Sequence, residues 1–173
     1  MNIDALKSTI GAHKGLAMQN RFQLFIAPPP FVLGDSKIED LSILCESCVL
    51  PGRTISTLDS QQVRQAIKIA NGFTNDDLSF TFLLTQDYFI KKIFDRWLSR
   101  VIDFDNYRTN YQNEYSGDIE IHQLDKDNKS IYKIKIERAY PITVNSINLE
   151  STSENTISRV TVVMSFQNYK VIP

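Results

Sequence analysis

Between Ser116 and Val171 four short segments alternate apolar with polar residues, and this period of two limits the fold more than any other feature of the chain. Ile119 and Ile121 oppose Asp118, Glu120 and His122. Tyr132, Ile134 and Ile136 oppose Lys133, Lys135 and Glu137, and Val160, Val162, Met164 and Phe166 oppose Arg159, Thr161, Ser165 and Gln167. Successive side chains on a strand point to opposite faces, so each segment is expected to bury one face and wet the other. Buried faces require a second layer. The expected architecture is mainly β: an antiparallel β-sandwich or barrel-like domain.

Upstream segments fit the same plan. Asn20 to Ile26 (NRFQLFI) turns Phe22, Leu24 and Ile26 inward and ends at Pro28, Pro29 and Pro30, which cannot continue a ladder. Leu41 to Val49 reads as the next strand, stopped by Pro51 and Gly52, and Arg53 to Gln62 reads as a polar loop without a core face. Gln65 to Ala70 and Leu78 to Thr85 read as a hairpin around NGFTNDD, because Asn71 and Gly72 accept positive φ at little steric cost. Leu78, Phe80, Phe82 and Leu84 share one face of its second arm, and full burial of each contributes about 1.5 to 3 kcal/mol.

One helix is expected to pack on the side of the sheet, from Tyr88 to Ile102 with Asp87 as its N-cap. Phe89, Ile90, Ile93, Phe94, Trp97, Val101 and Ile102 form its apolar stripe, and Lys91, Lys92, Asp95 and Arg96 its wet side. After it, DFDNYRTNYQNEYSGD carries Tyr107, Tyr111 and Tyr115 in an extended, contact-making loop. Ile3 to Leu16 has helical spacing, but Gly11 and Gly15 each weaken a helix by about 1 kcal/mol relative to alanine. Residues 1–19 therefore read as an adaptable arm and 20–173 as a single β domain.

The chain has 173 residues, enough to bury roughly 70% of the surface exposed on unfolding. With 19 basic against 20 acidic residues it has no overall field to hold a polyanion. No apolar run reaches the ~20 residues needed to cross a bilayer, and MNIDALKSTIGAHKG lacks the basic-then-apolar order of a secretion signal, so a cytoplasmic origin is expected. Cys45 and Cys48 form a CxxC, a spacing that serves redox chemistry or half of a zinc site in a turn. On a strand, positions three apart face opposite sides, about 10 Å apart and beyond disulfide reach, so a structural role is expected.

No constellation for catalysis, metal or cofactor is expected. His13 and His122 sit near no nucleophile or second ligand and read as solvated. Asp76 with Asp77, and Asp103 with Asp105, flank turns and a helix end, where aspartate is ordinary. The scattered glycines form no phosphate-binding loop. Lys133, Lys135 and Arg138 beside Tyr132 make a short basic row, which leaves a single-stranded nucleic-acid-binding module as an alternative; Glu137 and Glu120 dilute it.

The order of the motifs carries more than any one of them. NRFQLFI, a strand closing in LPGR, LSFTFLLTQD, and YFIKKIFDRWLSRVI with Phe94 and Trp97 are followed by Tyr111, Glu114 and Tyr115. Ile119 to Ile121 with Gln123, Leu124 and Asp125, then Ala139 to Pro141, then Thr161 to Phe166 complete the series. Across about 150 residues this order resembles the tail tube family of contractile bacteriophages. The resemblance implies a non-enzymatic subunit that forms hexameric rings, with strands from every copy joined in one tube barrel. Rings stack inside a contractile sheath, and DNA passes transiently through the lumen. The implied partners are other copies of the chain and the tail sheath, baseplate and tail terminator proteins, without a membrane. The implied location is the virion tail, assembled in the host cytoplasm.

A tube initiator of the baseplate, or the inner tube of a phage-derived injection device, is the alternative within this class. For stacking, the expected contacts are the N-terminal arm and the loop Arg53, Thr54, Ile55, Ser56, Thr57, Leu58 and Asp59. Tyr107, Tyr111 and Tyr115 are expected at subunit contacts, since tyrosine supplies apolar area with a polar tip. The polar faces of Gln65 to Thr85 and of the last two strands are expected to line the lumen.

Overall fold

The alternating segments do become strands, and their apolar faces meet around one helix. The computed structural model describes residues 2–33, 38–63, 65–151 and 156–173. In chain order the elements are α1 (Ile3–Ala12), β1 (Phe22–Ala27), α2 (Pro30–Leu33), α3 (Ile38–Ile43), β2 (Cys45–Cys48), β3 (Arg53–Val63), β4 (Gln65–Asn75), β5 (Leu78–Leu83), α4 (Phe89–Val101), β6 (Ile102–Asp103), β7 (Arg108–Thr109), α5 (Gln112–Tyr115), β8 (Gly117–Leu124), β9 (Ser130–Val144), β10 (Arg159–Ser165) and β11 (Asn168–Ile172).

A seven-stranded antiparallel sheet runs β1-β8-β9-β10-β5-β2, with β11 also on β9. The long strand β9 is its spine. β8 lies along one edge, and β10 and β11 follow one another along the other, against Tyr140–Val144 and Lys133–Glu137 respectively. The expected single closing strand is thus interrupted at Phe166 and Gln167, beside Arg138 at φ 55. Gly117 opens β8 where the end of β1 crosses it: a Cβ there would lie 2.5 Å from the Ala27 carbonyl oxygen, so only glycine fits without displacing backbone. The sheet is not closed into a barrel.

Alternation predicts the core well. Leu24, Ile26, Leu78, Phe80, Phe82, Ile119, Ile121, Ile134, Ile136, Val160, Val162 and Met164 are all buried, joined by Ile90, Ile93, Phe94 and Trp97 of α4. Phe94 lies 5.4 Å from Phe82 and stacks on Trp97 at 6.1 Å between ring centroids, which seats the helix on the sheet. The Trp97 indole donates to the Tyr115 carbonyl at 2.6 Å, satisfying the one polar atom this side chain brings into the core. Asp87 accepts from the Phe89 amide at 3.3 Å, and Tyr88 at φ 53 fills the N-cap position itself. Ile102 leaves the helical stripe and is exposed in β6, and Tyr132 is half exposed.

Several expectations are corrected. Leu41 to Val49 is not one strand: Glu39 and Asp40 in the first turn favour α3 through its dipole, Leu41 is buried from it, and only Cys45–Cys48 extends. The hairpin around NGFTNDD does not form. Arg53 to Gln62 is strand rather than loop, and β3 pairs with β4 from Arg53↔Asn75 to Val63↔Gln65. β5 instead pairs with β10 and β2. The N-terminal arm contains a formed helix, because Asn2 accepts from the Asp4 amide and Gly15, at φ 103, closes the other end on the Ile10 carbonyl. No side chain of α1 is buried. The tyrosine-bearing loop holds the small β6–β7 hairpin and α5.

Candidate assembly surface

β3 and β4 form a two-stranded ribbon outside the main sheet. Arg53 fastens its root. The guanidinium donates to Asn75 at 3.0 Å, to the Asn168 side chain at 2.9 Å and to the Tyr169 carbonyl at 3.4 Å, and it lies over both the Phe73 and Tyr169 rings. Asn75 in turn donates to the Gln167 carbonyl. A planar cation between two rings, with N–H groups shared between Asn75 of the ribbon and the edge strand β11, sets the direction in which the ribbon leaves the body. Of the residues expected to stack rings, Arg53 is therefore placed within its own subunit, and Thr54 to Asp59 are exposed beyond it.

Beyond that root the ribbon exposes apolar side chains. Ile55 is 63% exposed and Phe73 57%, and Leu58, Ile67 and Ile69 are also exposed. A two-stranded ribbon in water is marginal alone, so such a surface asks for a further layer. The loop reading missed this. The clue was present in Ile55 and Leu58 among the polar residues, which match Phe73 and Ile69 across the ladder.

The other surfaces differ in chemistry. Outside β1, β8, β9 and β11 the sheet is charged and balanced: Lys135 reaches Asp118 at 3.4 Å, Lys170 reaches Glu137 at 2.8 Å, and His122 Nε2 lies 3.5 Å from Glu120. His122 is not solvated; its ring packs at 5.0 Å from Phe25 and Nε2 has no hydrogen bond. The outer face of β5 and β10 instead carries Ser79, Thr81, Thr161, Val163 and Ser165, with the Thr81 and Thr161 hydroxyls 3.3 Å apart. On β10, Arg159 forms a two-bond pair with Glu46, and that pairing holds the Glu46 carboxyl below its ordinary range.

The sheet ends at β1 and β2, and an open groove of about 590 Å³ separates them, lined by Arg21, Phe22, Cys48, Val49, Leu50 and Ile121 among others. Cys45 and Cys48 do not face opposite ways. A bulge between Cys45 and Ser47 sets them against Phe82 and Phe80, on one buried side. Burial pushes the Cys45 thiol up to about 12, with the Cys48 thiol adding to the shift, and burial pushes Cys48 up to about 11. Both are packing groups. Tyr107 and Tyr111 are exposed, but Tyr115 is buried edge-on against Tyr140 at 5.1 Å and belongs to the subunit's own core.

Open strand edges, a fastened apolar ribbon and an uncharged hydroxyl face define a structural subunit built to associate. Among solved structures the chain is similar to a protein of the anti-feeding prophage baseplate (12% identity, TM-score 0.66, covering 91% of this chain and 95% of that one). It is also similar to one in the anti-feeding prophage tube-terminating cap (13% identity, TM-score 0.66, 91% of each chain). A third likeness is to a chain of the PVC sheath–tube complex of an extracellular contractile injection system (15% identity, TM-score 0.63, 95% of this chain and 96% of that one). At these identities the likeness is one of fold. No curated protein matches the chain in sequence. The phage tail tube protein family model matches residues 17–172, and the chain belongs to that family. Its function is that of a structural tail tube subunit.

Proposed function

We propose that the chain closes into rings of six copies that stack head to tail as the inner tube of a contractile tail. The observation that carries this reading is the family match over nearly the whole chain, on a fold whose sheet edges stay open. Contact between two different patches closes a ring when the rotation closes, and the same kind of contact along the axis gives a stack without an end. Ring closure also removes the free edges of β1, β2 and β11 from water.

The hydroxyl face of β5 and β10 lines the lumen. Each phosphate neutralised by Lys or Arg would add affinity and hold DNA back, whereas Ser79, Thr81, Thr161 and Ser165 let it pass. Of the expected lining from Gln65 to Thr85, the side chains of Gln65 and Ala66 lie outside those described. The partners are further copies of the chain, the sheath outside it, and baseplate and terminator proteins at the two ends. The place of the protein is the virion tail, with assembly in the host cytoplasm, and residues 1–19 serve as an arm reaching a neighbouring copy. Tyr107 and Tyr111 lie at subunit contacts. Of the basic row Lys133, Lys135 and Arg138, Lys135 is answered by Asp118, which weakens a nucleic-acid platform on that face.

The likeness to anti-feeding prophage and PVC components favours one second reading, the inner tube of a phage-derived injection device. Electron microscopy of the purified chain tests both: hollow tubes of stacked rings are expected. A chain that stays monomeric at high concentration, even when seeded with tube ends, would overturn them. Particles carrying a DNA-filled head separate the first reading from the second.

A further inference from the structure

The N-terminal arm leaves the body at a point that is tied twice. Arg21 lies immediately before β1; its carbonyl accepts from the Leu124 amide at 2.9 Å, and its side chain reaches over the β8–β9 turn. There a single nitrogen, Nη1, donates to the carbonyls of Asp125 at 3.3 Å and Lys126 at 3.0 Å and to Asn128 Oδ1 at 3.3 Å. The turn forms this cradle by its own closure. The Asp125 amide donates to the Lys129 carbonyl, the Asn128 amide donates to the Asp125 carbonyl, and Asn128 takes φ 59, a left-handed conformation that asparagine tolerates. Three oxygens of one turn thus converge on one cation, and charge makes such bonds roughly twice as strong as neutral ones.

The arm is closed on either side of a short gap. Gly15 at φ 103 ends α1 on the Ile10 carbonyl, and the Arg21 amide donates to the Met18 carbonyl in the turn that leads into β1. Between these closures Leu16 and Ala17 make no backbone hydrogen bond among the described residues. Because α1 buries no side chain, its placement depends on this stem. The helix has 10 residues and is about 15 Å long, so a small change of angle at the stem carries its far end a long way.

We infer that Arg21 is the positioning residue of the arm: as the cation of the β8–β9 turn it fixes where and in which direction the stem leaves the body, and α1 swings only about Leu16 and Ala17. This role rests on the reading of residues 1–19 as an arm that reaches another copy, but the device itself lies within one subunit and is measured there. A preset stem lowers the ordering cost of any contact the arm makes. Because all three acceptors meet one nitrogen, the socket needs a positive charge with more than one N–H and not the planar fork, so lysine is expected to serve where glutamine does not.

The test uses the full chain as wild type, R21A, R21Q, R21K and N128G, the last of which accepts the positive φ and removes only the side-chain oxygen. The backbone bond from Leu124 remains in every variant, so circular dichroism is expected to match wild type. Amide exchange at residues 18–22 and 125–129 is expected to quicken about tenfold in R21A and R21Q, about threefold in N128G and less than about twofold in R21K, with β9 and β10 unchanged. Dilute guanidinium chloride, far below denaturing concentration, is expected to restore protection in R21A, and sodium chloride is not. Spin labels at the exposed positions Ser8→Cys and Ser99→Cys, attached near neutral pH where the native thiols stay protonated, are expected to give a distance distribution about twice as broad when R21A is added. Tube yield in R21A is expected to fall about tenfold. An R21K loss equal to that of R21A, without rescue by guanidinium, would overturn the socket. If R21A leaves exchange and label distances unchanged, or loosens the stem and leaves tube yield unchanged, the positioning role is overturned and the tube reading stands. If wild type forms neither rings nor tubes, the tube reading falls, and exchange and label distances in the lone subunit still decide the socket.

Discussion

The main sheet and the β3–β4 ribbon are built from the same alternation, yet they use it differently. In the sheet, the apolar faces of β5, β8, β9 and β10 close on α4 and become dry within one chain. In the ribbon, Ile55, Leu58, Ile67, Ile69 and Phe73 find no such layer and are each more than half exposed. An apolar strand face is a demand for a partner, and whether the partner lies in the same chain decides between a core and an interface. The ribbon is fastened to the body at its root by Arg53 and Asn75, and beyond that root its apolar side chains find no layer within the chain.

The contrast is easiest to break from the core side. Trp97→Ala removes a fully buried ring stacked on Phe94 and leaves the Tyr115 carbonyl without its donor. The expected loss is about 3 to 5 kcal/mol, read as a lowered denaturation midpoint, with any surviving fold still carrying an intact ribbon. A loss under ~1 kcal/mol would mean that the helix is not seated as described.

The half-buried cysteines probe the same core by pH. Their folded pKa values are raised above the ordinary thiol value of 9.0, to about 12 and about 11. The stability gained by keeping them neutral is therefore complete below pH 9 and is lost as pH rises through 9 toward 11 and 12. Denaturation midpoints are expected to fall across that window, and less so in the double serine variant. At pH 8.5 iodoacetamide is expected to label the native thiols at least ten times more slowly than those of the urea-unfolded chain.

The smallest effect is expected at the ribbon root. Arg53→Ala leaves Phe73 and Tyr169 in place but removes the donor that ties the ribbon to β11. Global unfolding is expected to shift by no more than about 1 kcal/mol, since the residue is exposed. Amide exchange in β3 and β4 is expected to quicken about tenfold while that of β8 and β9 is unchanged. Equal quickening in both regions would make the ribbon part of the core rather than an appendage.

Much of the fold was legible along the chain. The strands Asn20–Ile26 and those after Ser116, the helix with Phe94 and Trp97, and the ordered motifs of the tail tube family all follow from local periods and from breakers such as Pro28. The candidate assembly surface was half legible. Thr54 to Asp59 do project from the body, but along the chain they have the composition of a loop, because isolated Ile55 and Leu58 show no face until β4 is laid beside them. Asn71 and Gly72 gave the expected turn signal, yet they form a bulge inside a longer strand.

By itself, then, the sequence determined which segments extend, which faces are apolar and which helix covers them, because these depend on neighbours two to four residues away. Only the tertiary structure decided that β3 pairs with β4, that Cys45 and Cys48 share a side, that Tyr115 is core and that Arg53 is a fastening. Each of those turns on a bulge, a register or a contact made far along the chain. A one-residue shift in pairing moves a side chain to the opposite face without changing any local pattern.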